Sequence, residues 1–306
     1  MNSIKNSFSI KDLENLSGIK AHTIRIWEKR YGLLSPERTK TNIRFYSLAS
    51  LQNLLNITLL YKNGIKISKI SALNPIQILE ECDAIATKTA NRNLVNNNLK
   101  IAMLNFDAPM FEATYQKLLK GKNFGKVFVS YFVPLLKEIG FLWQTDSIMP
   151  AHEHFITALI KQKILIHIEK EQHKPIRQSE TYILFLPESE IHDLGLLYLS
   201  YELLKSGYKV IYLGQSLPIK SLELFLNSDH KTTFVSYCTV APSSEAIQNY
   251  VEELHDRIIS NCHSELWLLG NKVLELDASK LPDTTKIFTS VSDVIHSMII
   301  EKSLQL

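Results

Sequence analysis

The sequence predicts a multidomain chain of α and α/β parts. These are an amino-terminal helix-turn-helix with a β-hairpin wing, a central four-helix bundle, and a carboxyl-terminal doubly wound parallel sheet. Three observations carry the prediction. Residues 1–75 hold 12 Lys/Arg against 4 Asp/Glu, whereas residues 76–306 hold 22 against 27, so a small basic head is joined to a slightly acidic body. Through the middle of the chain apolar residues recur at three- and four-residue steps, the period of core-facing helices. From about residue 176, short apolar runs alternate with helix-length segments, the pattern of a parallel α/β domain.

The 306 residues suffice for two or three domains with substantial cores. No apolar run approaches the ~18 residues that a membrane-spanning helix needs, and the amino terminus lacks the apolar stretch of a secretory signal. Cys82, Cys238 and Cys262 are too scattered for a disulfide framework or zinc spacing. A cytoplasmic protein without a membrane partner is expected.

In the head, residues 1–75, Ser9 is placed to cap a helix carrying Ile10, Leu13 and Leu16 on one face. Ser17 and Gly18 make a tight turn. Lys20 to Arg30 form a second helix with Ile24 and Trp27 inward and Thr23 and Arg25 outward. Two helices around a glycine turn place the second in the DNA major groove. Two short extended pieces follow, punctuated by Gly32 and Pro36 and carrying Tyr31, Arg38, Arg44 and Tyr46. They suit a hairpin wing whose Arg and Tyr side chains reach phosphates. An amphipathic helix then runs from Ser47 through Leu51, Leu54, Leu55, Leu59 and Leu60.

The stretch from Thr23 to Leu33 (TIRIWEKRYGL) and the element from Arg44 to Ser47 (RFYS) resemble the MerR family of transcription factors. The resemblance covers about 70 residues. It implies a homo-oligomer bound to a pseudo-palindromic double-stranded operator that it distorts. It also implies that Arg25 is a recognition-helix contact, with Thr23 and Arg30 on the same surface and Tyr31, Arg38, Arg44 and Tyr46 as wing or backbone contacts. Trp27 reads as core.

Residues 76–175 follow Pro75 and read as helical. Phe124, Phe128, Tyr131, Phe132, Leu135, Leu136 and Ile139 mark one core-facing helix; Phe155, Leu159, Ile160, Ile164 and Ile168 mark another. One segment departs from ordinary bundle sequence. Trp143 precedes a turn containing Pro150, and Glu153 and His154 open the next helix, offering a flat apolar face beside an acid and a base.

Residues 176–306 alternate strands and helices. Expected strands are Tyr182–Leu186, Val210–Leu213, Phe234–Val240, Leu266–Leu269 and Lys286–Thr289. Expected helices are Leu194–Ser206, Ile219–Leu226, Ser244–Ile259 and one near Val291–Lys302. Such domains bind ligands beyond the carboxyl ends of their strands, and no glycine-rich phosphate loop points to a nucleotide enzyme. Glu190, His192 and Gly195 follow the first strand. An imidazole there can ligate a metal while the carboxylate holds its other nitrogen, and the glycine admits a bulky group to the backbone.

This region resembles cobalamin-binding domains of flavodoxin-like (Rossmann-type) fold. Their Asp-x-His-x-x-Gly is matched by Glu190, His192 and Gly195, their Ser-x-Leu by Ser236 alone, and their glycine pair by Gly270 alone. The upstream Trp, nine residues, then Glu-His is matched by Trp143, Glu153 and His154, as in CarH/CarA-like regulators. The resemblance implies cobalamin, as adenosylcobalamin, with His192 on cobalt and Glu190 fixing its tautomer. It places the cofactor's own base beside Ser236, Trp143 over the upper corrin face and Glu153 on a ribose, with His154 orienting the group.

The protein implied is a repressor, not an enzyme, whose operator binding is controlled by cobalamin and, through a light-cleavable cobalt–carbon bond, by light. Gln144 stands where photoreceptor relatives carry a histidine, leaving His152 as the substitute upper ligand. Dimer and tetramer are both open. Two alternatives remain: an α/β domain used only for oligomerisation or protein interaction, and a cobalamin-dependent methyltransferase or mutase subunit.

Overall fold

A computed structural model describes residues 7–39, 41–88, 92–177, 179–226, 231–262 and 264–304. The chain divides into two units, residues 1–160 and 161–306.

The first unit begins with strand β1 (Ser7–Phe8) and helix α1 (Ile10–Ser17). The Ser9 side chain accepts from the Asp12 amide and the Asp12 carboxylate accepts from the Ser9 amide, a reciprocal cap that satisfies two orphan donors. Gly18, at φ 72°, ends the helix in the left-handed conformation that favours glycine. Helix α2 (Ala21–Tyr31) follows, then β2 (Glu37–Arg38) and β3 (Arg44–Ser47), with β3 central in an antiparallel three-stranded sheet ordered β1-β3-β2. Ile24 and Trp27 are buried, and the Trp27 ring meets Tyr61 edge-on at 5.1 Å. Helix α3 (Leu48–Lys62) buries Leu51, Leu54, Leu55, Leu59 and Leu60, as the sequence pattern requires.

Helices α4 (Ile67–Ile70), α5 (Pro75–Lys88), α6 (Arg92–Asn105) and α7 (Ala108–Leu119) come next. A continuous helical rod then runs through α8 (Phe124–Val127), a π turn (Phe128–Phe132) and α9 (Val133–Gln144). Pro134 lacks an amide and clashes with the preceding turn of a regular helix, and the widened turn just before it relieves both constraints. Phe111, Tyr115 and Phe132 stack there at centroid separations of 5.9 to 6.4 Å. Helix α10 (Pro150–Gln172) contains the boundary between the units. Its buried seam is Ile156, Ile160 and Ile164; Phe155 and Leu159, expected inward, are only half-buried.

The second unit carries β4 (Thr181–Phe185), α11 (Leu194–Lys205), β5 (Lys209–Gly214), β6 (Thr232–Tyr237), α12 (Ile247–Arg257), β7 (Ser264–Leu269), β8 (Thr285–Phe288) and α13 (Val291–Leu304). All five strands are parallel in the order β5-β4-β6-β7-β8, the doubly wound order whose switch point lies between its first and third strands. β4 is buried at every residue, as a sheet covered on both faces demands. Two expectations change. Ile219–Phe225 is a 3-10 helix rather than an α-helix, with Leu222 buried and Leu224 86 % exposed. β6 ends at Tyr237: the Cys238 amide still donates to the Leu269 carbonyl at 2.7 Å, and from Thr239 to Ala241 the amides turn to a side-chain carboxylate.

Among the described residues no helix is long and apolar enough to cross a membrane. Gly270 sits at φ 102°, and a Cβ there would lie 2.2 Å from the Cys238 carbonyl oxygen. Gly270→Ala is therefore expected to lower unfolding free energy by about 3 kcal/mol, measured by urea denaturation of the full chain; a change under about 0.5 kcal/mol contradicts the packing.

Candidate functional site

On the head, Arg25, Arg30 and Arg38 are exposed and Thr23 and Tyr31 half-buried, with the Arg30 guanidinium 5.5 Å from the Tyr31 ring centre. Arg38 donates to the Asn42 side chain at 2.7 Å, within the turn of the wing. The lower end of the wing is built on Glu28. Its carboxylate accepts from Arg44 Nε at 3.1 Å and from the Tyr46 hydroxyl at 2.9 Å.

Tyr46 corrects the sequence reading. It has no exposed surface and cannot touch DNA; burial, followed by its bond to Glu28, pushes its hydroxyl up to about 12. It locks the wing to helix α2. Glu28 lies within the family motif, yet a lone carboxylate in a basic helix gave no sign of this role. Its spacing from Arg44 becomes meaningful only once β3 folds back.

Trp143 lies in the last turn of α9 and is 51 % exposed, beside exposed Gln144. Glu153, half-buried, and His154, exposed, lie in the first turn of α10. An acid there complements the positive end of the helix. His152 is no upper ligand in this arrangement. It is buried, its Nδ1 accepts the Met149 amide at 3.0 Å, and its ring stacks on Phe106 at 4.9 Å.

In the second unit the loop after β4 brings Glu190 beneath the carboxyl edge of the sheet, with no exposed surface. Its Oε1 accepts the Ile191 and His192 amides at 2.9 Å and His192 Nδ1 at 2.6 Å. Its Oε2 accepts the amides of Thr239, Val240 and Ala241 at 3.0, 2.6 and 2.9 Å. Burial alone would raise the carboxyl. The Val240, Ala241 and His192 amides with the His192 ring outweigh it and bring the group down to about 2.

An ionised carboxylate can only accept, so Nδ1 of His192 carries a proton, and the tautomer this selects for the neutral ring has its lone pair on Nε2. The His192 side chain is 48 % exposed. Ile191 and Val240, whose amides share the same carboxylate, are 62 % and 59 % exposed. The neighbouring loop after β5 joins the same assembly, since Gln215 Nε2 donates to the Ile191 carbonyl at 2.6 Å. The Thr239–Ala241 amides were missed from sequence because backbone donors carry no residue signature.

A cobalamin fits one part of this set. One imidazole, oriented by a buried carboxylate and preceded in the chain by the exposed Ile191, is the donor chemistry that suits a metal already held by a macrocycle. Ser236 and Gly270 do not present a surface for the cofactor's base. Ser236 is fully buried with its hydroxyl 3.1 Å from that of Tyr250, and Gly270 is closed on Cys238. At Gly195 the bulky group is Tyr237, whose ring lies 2.7 Å from where a Cβ would stand.

Head and helical region together define a DNA-binding regulator module joined to a cofactor-binding one. Residues 8–74 match the family profile described as MerR HTH family regulatory protein, and residues 95–166 match that of the B12 binding domain. The chain thus combines a MerR-type helix-turn-helix with a B12 binding domain. It is 27 % identical to the HTH-type transcriptional repressor CarH of Myxococcus xanthus over 78 % of this chain and 80 % of that protein. It is 24 % identical to the HTH-type transcriptional repressor CarA of the same organism over 70 % of each. The Methanosarcina barkeri monomethylamine corrinoid protein shares the fold with a TM-score of 0.53 at 12 % identity, over 65 % of this chain and 94 % of that one.

Glu190 sets a pH dependence. Its folded value of about 2 lies below the ordinary 4.5, so its stabilisation is complete above about 4.5 and is lost as pH falls toward 2. Urea midpoints taken from pH 6 to pH 2 should drop through that window. Glu190→Gln leaves one set of donors facing an amide NH2, so it should start about 3 kcal/mol lower and lose the Glu190 part of the slope. An unchanged midpoint in the variant refutes the role.

Proposed function

We propose that this chain is a transcriptional repressor of MerR type whose occupancy of a double-stranded operator is controlled by cobalamin. The observation that carries the reading is His192, whose Nδ1 is committed to a buried carboxylate, the arrangement that puts the lone pair of the neutral ring on Nε2. The matches to the MerR and B12 binding domain profiles support the two halves of the reading. DNA as partner implies a cytoplasmic setting, and the pseudo-palindromic operators of such regulators imply a homo-oligomer.

The functional division we adopt is a head at residues 1–75, a helical cap at 76–175 and an α/β domain at 176–306. Arg25 reads base edges from α2, while Thr23, Arg30, Tyr31, Arg38 and Arg44 supply backbone and wing contacts. His192 would hold the cobalt, with Glu190 fixing its tautomer. Trp143, Glu153 and His154 are the further cofactor contacts, assigned on the resemblance. When bound, adenosylcobalamin would supply a cobalt centre that accepts an imidazole and a light-labile cobalt–carbon bond.

An enzyme role is disfavoured by the regulator head and by the repressors among the relatives. One observation favours a second reading, an α/β domain serving oligomerisation alone: the buried Ser236 and closed Gly270. Dark titration of the full chain with adenosylcobalamin separates the two. A bound corrin spectrum in the wild type, lost in His192→Ala with far-ultraviolet dichroism unchanged, supports the sensor, and no bound spectrum supports the second reading.

On the DNA side, a duplex selected from a random library should lose at least about tenfold in affinity with Arg25→Ala, as expected for a base contact worth about 1–3 kcal/mol. Equal affinity removes Arg25 from the interface.

A further inference from the structure

The carbonyls in the last turn of a helix have no partners within it. In α1 two of them are taken by ammonium groups. Lys62 of α3 donates to the Ser17 carbonyl at 3.3 Å, and Lys100 of α6 donates to the Leu16 carbonyl at 3.0 Å. Lys62 belongs to the head; Lys100 comes from the helical cap, 84 residues along the chain. Lys100 is 4 % exposed and its second partner is Glu138 Oε1 of α9, at 2.8 Å. Glu138 Oε2 in turn accepts from Asn96 at 2.7 Å.

A second bridge lies beyond the other end of the same segment. Asn15 Nδ2 of α1 donates to the Ser147 hydroxyl at 3.0 Å, and Ser147, fully buried, lies in the turn three residues past the end of α9. Glu138 and Ser147 therefore bracket Trp143 in the chain, and both lead to the last turn of α1. A cavity of about 140 Å³ lies along this seam, lined in part by Asn15, Lys62, Lys100 and Glu138, and by Thr58, whose buried hydroxyl has no hydrogen-bond partner among the described residues. Space of that kind gives the seam room for a second arrangement.

We propose that these contacts form a clamp through which α9 and the loop after it set α1, so that a displacement at Trp143 reaches the DNA-binding helices. The clamp itself stands on the head and cap alone; that cobalamin drives it rests on the proposed function. A buried ammonium tolerates the loss of its carboxylate poorly, so Lys100 must follow Glu138 or leave Leu16. The clamp is supporting rather than inhibitory, because Arg25, Arg30 and Arg38 are exposed while it is made. α1 reaches α2 through the Gly18 turn, whose amide donates to the Glu14 carbonyl at 2.8 Å.

The test is amide hydrogen exchange on the full chain, for the wild type, Lys100→Met and the milder Asn15→Ala. Without cofactor, amides of residues 10–18 should exchange about tenfold faster in Lys100→Met and about threefold faster in Asn15→Ala, with strand 181–185 unchanged. Unaltered α1 exchange in Asn15→Ala overturns the clamp even if Lys100→Met does not fold. With adenosylcobalamin in the dark, the wild type should show a change in α1 exchange that Asn15→Ala loses while keeping its corrin spectrum. The same change in both overturns the transmission. If the wild type gives no corrin spectrum, the cobalamin reading falls and transmission of that signal with it, while the comparison without cofactor still decides the clamp.

Discussion

A carboxylate without exposed surface has to be neutral or fully paired, because an unpaired buried charge costs several kcal/mol. Glu190 takes the second course, with six donors divided between its two oxygens. Three come from the loop in which it sits and three from a loop about fifty residues later. One side chain thereby joins the ends of β4 and β6, the strands on either side of the switch point, fixes the His192 tautomer, and gathers the amides that follow β6. The carboxyl edge of the sheet has the shape it does because those amides point inward.

The head repeats this logic on a smaller scale. Glu28 collects Arg44 and Tyr46 from the wing, as Glu190 collects amides from the loop after β6. In both places an acid from one element organises groups supplied by another, and a solvent-facing residue lies close to it in the chain, Arg25 three residues before Glu28 and His192 two residues after Glu190. Acids that look out of place in a basic helix or after an apolar strand are thus the organisers of the two surfaces.

Much of the fold was legible because hydrophobic period reports directly on which face is buried. All five parallel strands fall within three residues of their expected bounds, and Ser9, Gly18, Ile24 and Trp27 do what their types and spacing require. The failures share a cause. Tyr46 read as a DNA contact because an amphipathic ring near arginines suits either a phosphate or a core, and only the fold-back of β3 onto Glu28 decides. Ser236 and Gly270 were placed beside a ligand from short matches, whereas Tyr250 and the Cys238 backbone already fill their surroundings. Lys100 gave no sign at all, since a lysine on a helix is ordinarily solvated and its partner carbonyl lies in another element.

The Glu190 assembly also has a consequence for the order in which the chain matures. Its donors at Thr239–Ala241 leave the ribosome about fifty residues after the carboxylate does, and β4 cannot be paired on that side until β6 exists. During synthesis the head, made almost wholly of local contacts, is complete first. A chain still being translated therefore has its basic head folded well before His192 acquires its fixed tautomer. Each new molecule passes through an interval in which the head exists and the carboxyl edge of the sheet does not.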